Sequence, residues 1–383
     1  MVVVVSAMGR TTDDLLNLAK SFADAPPRRE LDMLLSVGER ITMALLSIAV
    51  QQHGLEAISL TGSQSGIITN DRHSDARILE VRPYRVQDEL ANGKIVIVAG
   101  YQGVSYKREV TTLGRGGSDT TAVAMAAALG ADRCEIYSDV DGVYTADPRD
   151  VPEARHIPVI SYPEMQEMAT SGAKVLNAQA VEFAKRAGIA LYCRASFQPG
   201  RETVVRRDAP IEENGVRAVV SETAVIRVRV RGKAAAENLR EIVRVADEAS
   251  APIKEVSVSA PEGKLGWARG SFVVSLTNVP NWTQVRARLE ETAGQEMEVD
   301  EGQGALSLIG EGVNRDNRNL LRVLSVLGEL GVSPSGLTTT GFRISMLVDR
   351  PRLLEAKRAC HRAFVEGSPD CVGLDSDSLA IQD

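Results

Sequence analysis

The chain has 383 residues, 44% of them apolar and 25% charged, with a formal net charge of -7. That is the make-up of an ordinary globular protein long enough for two or three domains. The acidic balance and an aromatic share of 4% leave no basic, aromatic-studded surface for nucleic acid. The cysteines, Cys134, Cys193, Cys360 and Cys371, form no CxxC pair, which argues against zinc and a disulfide framework. No run approaches the ~20 apolar residues of a membrane helix, so the expected setting is the cytoplasm, with no membrane partner.

In chain order, short apolar runs alternate with segments of helical period up to about Asp208. Val2 to Val5, Ile58 to Leu60, Ile95 to Ala99, Cys134 to Tyr137 and Ile189 to Cys193 read as buried parallel strands. Val175 to Ala187 reads as an amphipathic helix, with Leu176, Ala180, Phe183, Ala184 and Ala187 on one face and Gly188 as its stop. This alternation predicts an α/β sandwich around a mainly parallel sheet. Met1 stands directly against VVVV with no polar lead, so the first strand of the sheet is expected to lie upstream and to be missing.

Arg206 to Gly215 is polar, carries Pro210, and reads as a linker. Beyond it, Ala224 to Ala293 and Ala305 to Phe364 each read strand, helix, strand, strand, helix, an internal duplication. The expected division is 1–208, 215–301, 302–368, and a tail or edge strand over 369–383.

The chemistry-bearing segments lie mostly in the first half. Ser6, Thr11, Thr12 and Asp13 follow the first strand at a helix start, where capping alone would explain them. Glu39, beside Gly38, interrupts an apolar stretch and reads either as a ligand for an amino group or as half of a surface pair with Arg40. Thr111 to Thr121 (TTLGRGGSDTT) leads into an Ala-rich helix. Its glycines permit close backbone approach, Ser118 or Asp119 can cap the helix, and Arg115 offers a fork for a carboxylate. A plain glycine turn with an N-cap would use the same letters, but the combination is rarer.

Ser138 and Asp139 stand at a strand's carboxyl end, where open α/β sheets bind ligands, and Tyr144 and Arg149 follow as candidates for a base and phosphates. A type I turn would also account for them. Lys174 falls in the first turn of the expected helix, against the local dipole, which marks it as a phosphate-binding cation or else a solvated lysine.

Taken in order, VVVVSAMGRTTDDLL, LLSVGERI, TGSQSGI, VAGYQGV, TTLGRGGSDTTAVAMAAALGAD, YSDVDGVYTADPR and SGAKVL resemble the aspartate kinase branch of the amino-acid kinase family, over nearly all of residues 2–197. The resemblance implies transfer of the ATP γ-phosphoryl group to the β-carboxylate of L-aspartate, with Mg2+, as the first step toward lysine, threonine and methionine. It places Thr12, Glu39, Arg115, Ser118 and Asp119 on the aspartate. Ser6, Ser138, Asp139, Tyr144, Arg149, Lys174 and Val175 fall on ATP, with Lys174 and Asp119 as the catalytic pair and no protein metal ligand. A carboxylate of reference pKa about 4 is already ionised, so no general base is required.

The family opens with a Lys-(Phe/Tyr)-Gly-Gly segment that grips phosphates, and this sequence begins after that point. The expectation is a start codon placed late, with a catalytically impaired assembly partner as the rival reading and another acceptor (glutamate, acetylglutamate, a nucleotide) as the second. The carboxy-terminal half resembles paired ACT modules, of ferredoxin-like α+β fold, and implies a homodimer or higher oligomer. The usual Pro-Gly step is replaced by Gly232-Lys233-Ala234 and Gly312-Val313-Asn314-Arg315, which argues against lysine or threonine sensing.

Overall fold

The computed structural model describes residues 1–366 apart from 115, 199, 213–214, 233–234, 250, 263–266, 277–278, 280–281 and 294–296. Arg115, part of the Gly232-Lys233-Ala234 step and the expected tail therefore lie outside the described residues. The first part of the chain runs β1 (Val2–Val5), α1 (Thr11–Phe22), α2 (Arg28–Leu35), α3 (Val37–Gln52), β2 (Ala57–Leu60), β3 (Ile67–Thr69), β4 (Ile78–Val81), α4 (Tyr84–Ala91) and β5 (Ile95–Ala99). It continues through β6 (Gln102–Ser105), β7 (Val110–Thr112), α5 (Gly117–Leu129), β8 (Arg133–Ser138), β9 (Val143–Tyr144), β10 (His156–Ile157), β11 (Val159–Ser161), α6 (Tyr162–Thr170), α7 (Ala178–Ala187), β12 (Ala190–Ala195) and β13 (Glu202–Arg206).

The strands read from sequence are present and pair in parallel: β5 lies between β1 and β2, and β12 runs beside β8. The central β5 is buried on both faces, which is why it reads as an unbroken apolar run. Ile97 and Ala99 meet Met43 beneath α3, while Val96 and Val98 face Leu60, Val86 and Met125 on the side of α4 and α5. Helix α5 is apolar all round because it is packed on all sides. Met125 joins the β5 core, whereas Val123 and Ala126 join the core of β8 and β12 with Ile136 and Leu191. Its alanines let both sheets approach closely.

Among the described residues, Arg28–Gln52 is the one helical stretch long and apolar enough to cross a membrane by length and composition. It breaks into α2 and α3 at Ser36 and turns two carboxylates, Asp32 and Glu39, inward.

Helix α7 differs from expectation. It begins at Ala178, with the Asn177 side chain accepting the Gln179 N–H at 2.8 Å, so Lys174 and Val175 lie in the preceding loop and not in a first helical turn. The apolar spacing of Val175 and Leu176 extends the helical pattern past its true cap.

The second half comprises β14 (Ala218–Glu222), β15 (Val225–Gly232), α8 (Ala235–Glu248), β16 (Ile253–Glu262), β17 (Trp267–Ser275), α9 (Trp282–Ala293), β18 (Met297–Asp300), β19 (Gln303–Ile309), α10 (Arg318–Glu329), β20 (Gly336–Thr339), β21 (Arg343–Asp349) and α11 (Leu353–His361). Two four-stranded sheets result, ordered β16-β17-β15-β18 and β14-β19-β21-β20, and they meet at Val225, Val273, Ala305 and Leu347. Strand β14, which the sequence division puts with the first module, pairs antiparallel with β19 of the second. The first module is thus inserted between a strand of the second and the rest of it.

Candidate active site

The site forms where β1 and β5 end side by side. Gly100 N–H donates to Val5 O at 3.0 Å, fixing the two strand ends. Ser6 and Ala7 leave β1 there and meet the start of α3. A Cβ on Gly38 would stand 2.8 Å from the Ala7 Cβ, so only glycine allows this approach. The approach places Glu39 directly beneath the turn: Ala7 N–H donates to Glu39 Oε1 at 3.1 Å. Glu39 is 3% exposed, and its Oε2 has no hydrogen-bond partner. Burial pushes its carboxyl up to about 7. The alternative surface pair does not form, since Arg40 Nε donates instead to Gln102 Oε1 at 3.2 Å.

Thr12 lies in the first turn of α1, beside Thr11, whose hydroxyl donates to Met8 O rather than capping the helix. Across the strand ends stands the amino end of α5. Gly116, at φ 70°, is its N-cap residue without a side-chain cap, so Ser118 and Asp119 occupy the first turn and do not cap it as the sequence suggests. Ser118 reaches Gly100: a Cβ there would lie 2.8 Å from Ser118 Oγ and 2.9 Å from Val5 O. Asp119 is pushed up to about 6 by burial, opposed by a backbone hydrogen bond from Asn177. Contacts therefore run from Glu39 through Ala7, Val5 and Gly100 to Ser118, uniting the β1, α3 and α5 positions. Arg115 lies outside the described residues.

Asn177 carries the Lys174 loop onto this helix end. Its Nδ2 and Cβ would each be 2.6 Å from a Cβ on Gly116. Lys174 is exposed. On the far side the loop rests on the carboxy-terminal half: a Cβ on Gly172 (φ 110°) would be 2.8 Å from Ser221 O, and Lys254 Nζ bonds Thr170 O at 2.6 Å and Glu222 Oε2 at 2.8 Å.

The remaining sequence-predicted positions gather at the end of β8. Ser138 Oγ accepts the Val140 N–H at 3.3 Å, and Asp139 exerts its charge on Arg149. Tyr144 bonds Asp141 Oδ1 at 2.7 Å and packs edge-on against His156, with ring centroids 5.5 Å apart, while Arg149 grips Asp147 through two nitrogens at 3.0 and 2.8 Å. Burial, and after it the negative charge of Asp119, raises the thiols of Cys134 in β8 and Cys193 in β12. Those thiols, like Cys360, are buried and pushed up to about 12, far from nucleophilic use. Among the described residues no group of His, Cys, Asp or Glu is clustered enough to hold a metal. A Mg2+ carried in by nucleotide phosphates needs no such cluster.

Sequence reasoning missed Gly100, Ala7 and Asn177 as site-building residues. Asn177 carried a usable signal, being an Asn directly before a helix.

A profile of the amino acid kinase family matches residues 1–195. The aspartokinase of Mycolicibacterium smegmatis is 42% identical over 376 residues, covering 97% of this chain and 89% of that protein. The aspartokinase of Geobacillus stearothermophilus is 41% identical over 384 residues, covering 100% of this chain and 91% of that protein. Among solved structures, E. coli aspartokinase III in complex with aspartate and ADP has a TM-score of 0.76 over 93% of this chain and 80% of that chain, at 24% identity, a likeness of fold.

Proposed function

We propose the activity from one premise, that the chain belongs to the amino acid kinase family and, within it, to the aspartokinases: it transfers the γ-phosphoryl group of ATP to the β-carboxylate of L-aspartate, giving β-aspartyl phosphate and ADP. The observation that carries the acceptor assignment is Glu39, a carboxylate 3% exposed whose Oε2 has no partner, set beneath the ends of β1 and β5. An unpaired buried carboxylate is costly, and an ammonium group supplies the missing charge and donors. An acceptor without a free amino group leaves it uncompensated.

In this reading the aspartate ammonium meets Glu39. Its α-carboxylate lies toward Arg115 and the α5 amino end, where unsatisfied N–H groups favour an anion, with Ser118 and Thr12 as further hydroxyl donors. The ionised β-carboxylate attacks the γ-phosphorus as the bond to the β,γ-bridging oxygen breaks, and the electron pair leaves with ADP; no proton is transferred. The protein's part is positioning and charge neutralisation. Lys174 faces the transferring phosphoryl oxygens. Asp119 accepts from Asn177 and so holds the Lys174 loop against α5. Ser6, Ser138, Asp139, Tyr144 and Val175 surround the nucleotide, and Arg149 exchanges Asp147 for phosphate. Magnesium, when bound with the nucleotide, would supply further charge neutralisation.

The modules mediate self-association in this proposal. Edge strand β16 leaves Val256 and Val258 52% and 49% exposed, an edge suited to pairing with a second copy.

The test is ADP release from ATP with a panel of acceptors. Aspartate-dependent release supports the assignment. Release with N-acetylglutamate or a nucleotide monophosphate and none with aspartate overturns it.

A further inference from the structure

We propose that Asp32 is a positioning residue for the amino acid subsite, fastening Thr112, which ends β7 ahead of α5, to the loop of residues 70–77. Asp32 projects from α2 with 0% exposure. Its carboxylate gathers donors from separate segments: Thr112 Oγ1 at 2.6 Å, His73 Nδ1 at 2.7 Å, Ser74 N–H at 3.0 and 3.2 Å, and Ser74 Oγ at 3.4 Å. Among the described residues, those side-chain bonds go to none that is assigned above to aspartate or ATP. Its reach toward the site runs through Thr112, the last residue of β7.

Thr112 leads straight into the glycine turn. Its own carbonyl accepts Ala76 N–H at 2.9 Å, and the next residue, Leu113, donates to Tyr101 O at 2.9 Å. The same 70–77 loop backs the turn a second time, since a Cβ on Gly114 would lie 3.5 Å from Asp75 Oδ1 and 3.6 Å from Ser74 O. Ser74 holds a left-handed backbone, φ 66°, uncommon for a residue other than glycine. Such a conformation persists where surrounding bonds over-determine it, and both the N–H and the hydroxyl of Ser74 point to Asp32.

A carboxylate stripped of water costs several kcal/mol unless fully bonded, so a filled Asp32 fixes three segments in one geometry. Two strands merely needing to pack would be served by an apolar residue. What the carboxylate adds is a set direction for Thr112, and so for Ser118 in the first turn of α5. Positioning groups of this kind act on ligand geometry to within a fraction of an ångström.

The proposal rests on the reading of Ser118 as aspartate-binding, and calorimetric binding keeps the two separable because no turnover is needed. L-Aspartate and ADP are titrated into the parent, Thr112→Val, Thr112→Ser and Asp32→Asn. Thr112→Val keeps the side-chain volume and removes one donor, so folding is preserved even where Asp32→Asn compromises it. Loss of a charge-assisted bond should weaken aspartate by about fivefold or more in Thr112→Val and by about tenfold or more in Asp32→Asn, with ADP within about twofold of the parent. Thr112→Ser, which restores the hydroxyl, should recover parental aspartate affinity. Unchanged aspartate affinity in Thr112→Val overturns the proposal, as does equal weakening of aspartate and ADP, the mark of a general structural role. A parent that binds no aspartate overturns the underlying reading and this inference with it.

Discussion

Replacing Glu39 by Gln separates its cost to folding from its use in binding. The amide oxygen can still accept the Ala7 N–H that Glu39 Oε1 now accepts at 3.1 Å, so the local geometry is kept while the charge is lost. Burial raises the Glu39 carboxyl from 4.5 to about 7, and at 1.36 kcal/mol per pKa unit this corresponds to about 3 kcal/mol. The sign follows from proton counting. Between pH 4.5 and about 7 the unfolded chain is ionised at this residue while the folded chain keeps its proton. Stability therefore falls as pH rises through that window and levels off above it. Glu39→Gln lacks this loss, so the ligand-free variant should be more stable than the parent at pH 8, by up to about 3 kcal/mol, and no more stable at pH 4.5. Binding should move the other way. Losing a charge-assisted contact of about 1.5–3 kcal/mol raises KM for aspartate by one to two orders of magnitude, with KM for ATP unchanged. Urea unfolding at two pH values together with initial-rate kinetics reads both effects. A variant with parental KM for aspartate and a parental pH dependence of stability refutes the reasoning.

Other expectations rest on separate contacts. Asp119, lifted to about 6 by burial, should steepen the acid limb of kcat/KM below the fall that Glu39 causes near 7, and Asp119→Asn should leave only the Glu39 limb while cutting kcat by about two orders of magnitude or more. Gly100→Ala sets a Cβ 2.8 Å from Ser118 Oγ and 2.9 Å from Val5 O; overpacking of about 1–3 kcal/mol and a raised KM for aspartate should follow, read by thermal melting and kinetics. Lys254→Met removes one cation from Glu222, 8% exposed, and a donor from Thr170 O ahead of the Lys174 loop. It should destabilise by about 3 kcal/mol and raise KM for ATP more than KM for aspartate. Val256→Lys on edge strand β16 should lower the mass of the assembly in light scattering if that edge carries self-association.

The parts of the fold that sequence revealed are those governed by local period. Strand β5 is buried on both sides and appears as a plain apolar run, β8 and β12 bury alternate residues around Cys134, Ile136, Leu191 and Cys193, and the duplicated strand-helix-strand-strand-helix pattern survives because each unit fills its own core. What escaped reading depends on contacts distant along the chain. Strand β14 belongs with β19 across an inserted module, a pairing that no window of sequence contains. Glu39 looked equally like a surface residue, because its burial is set by Gly38 meeting Ala7 at the end of another strand. Lys174 was drawn into a helix by the apolar spacing of Val175 and Leu176, although Asn177 marked the true start. Asp32 gave no signal at all, since its donors come from Thr112, His73 and Ser74.

The central claim, that an amino acid is held by its ammonium at Glu39 with its side-chain carboxylate offered to ATP, is tested most directly by identifying the acyl phosphate formed. Borohydride reduces an acyl phosphate to the alcohol, so reaction with L-aspartate and ATP followed by reduction should yield homoserine, from the β-carboxylate. Isohomoserine (3-amino-4-hydroxybutanoic acid), from the α-carboxylate, or no aspartate-derived alcohol, would contradict the account.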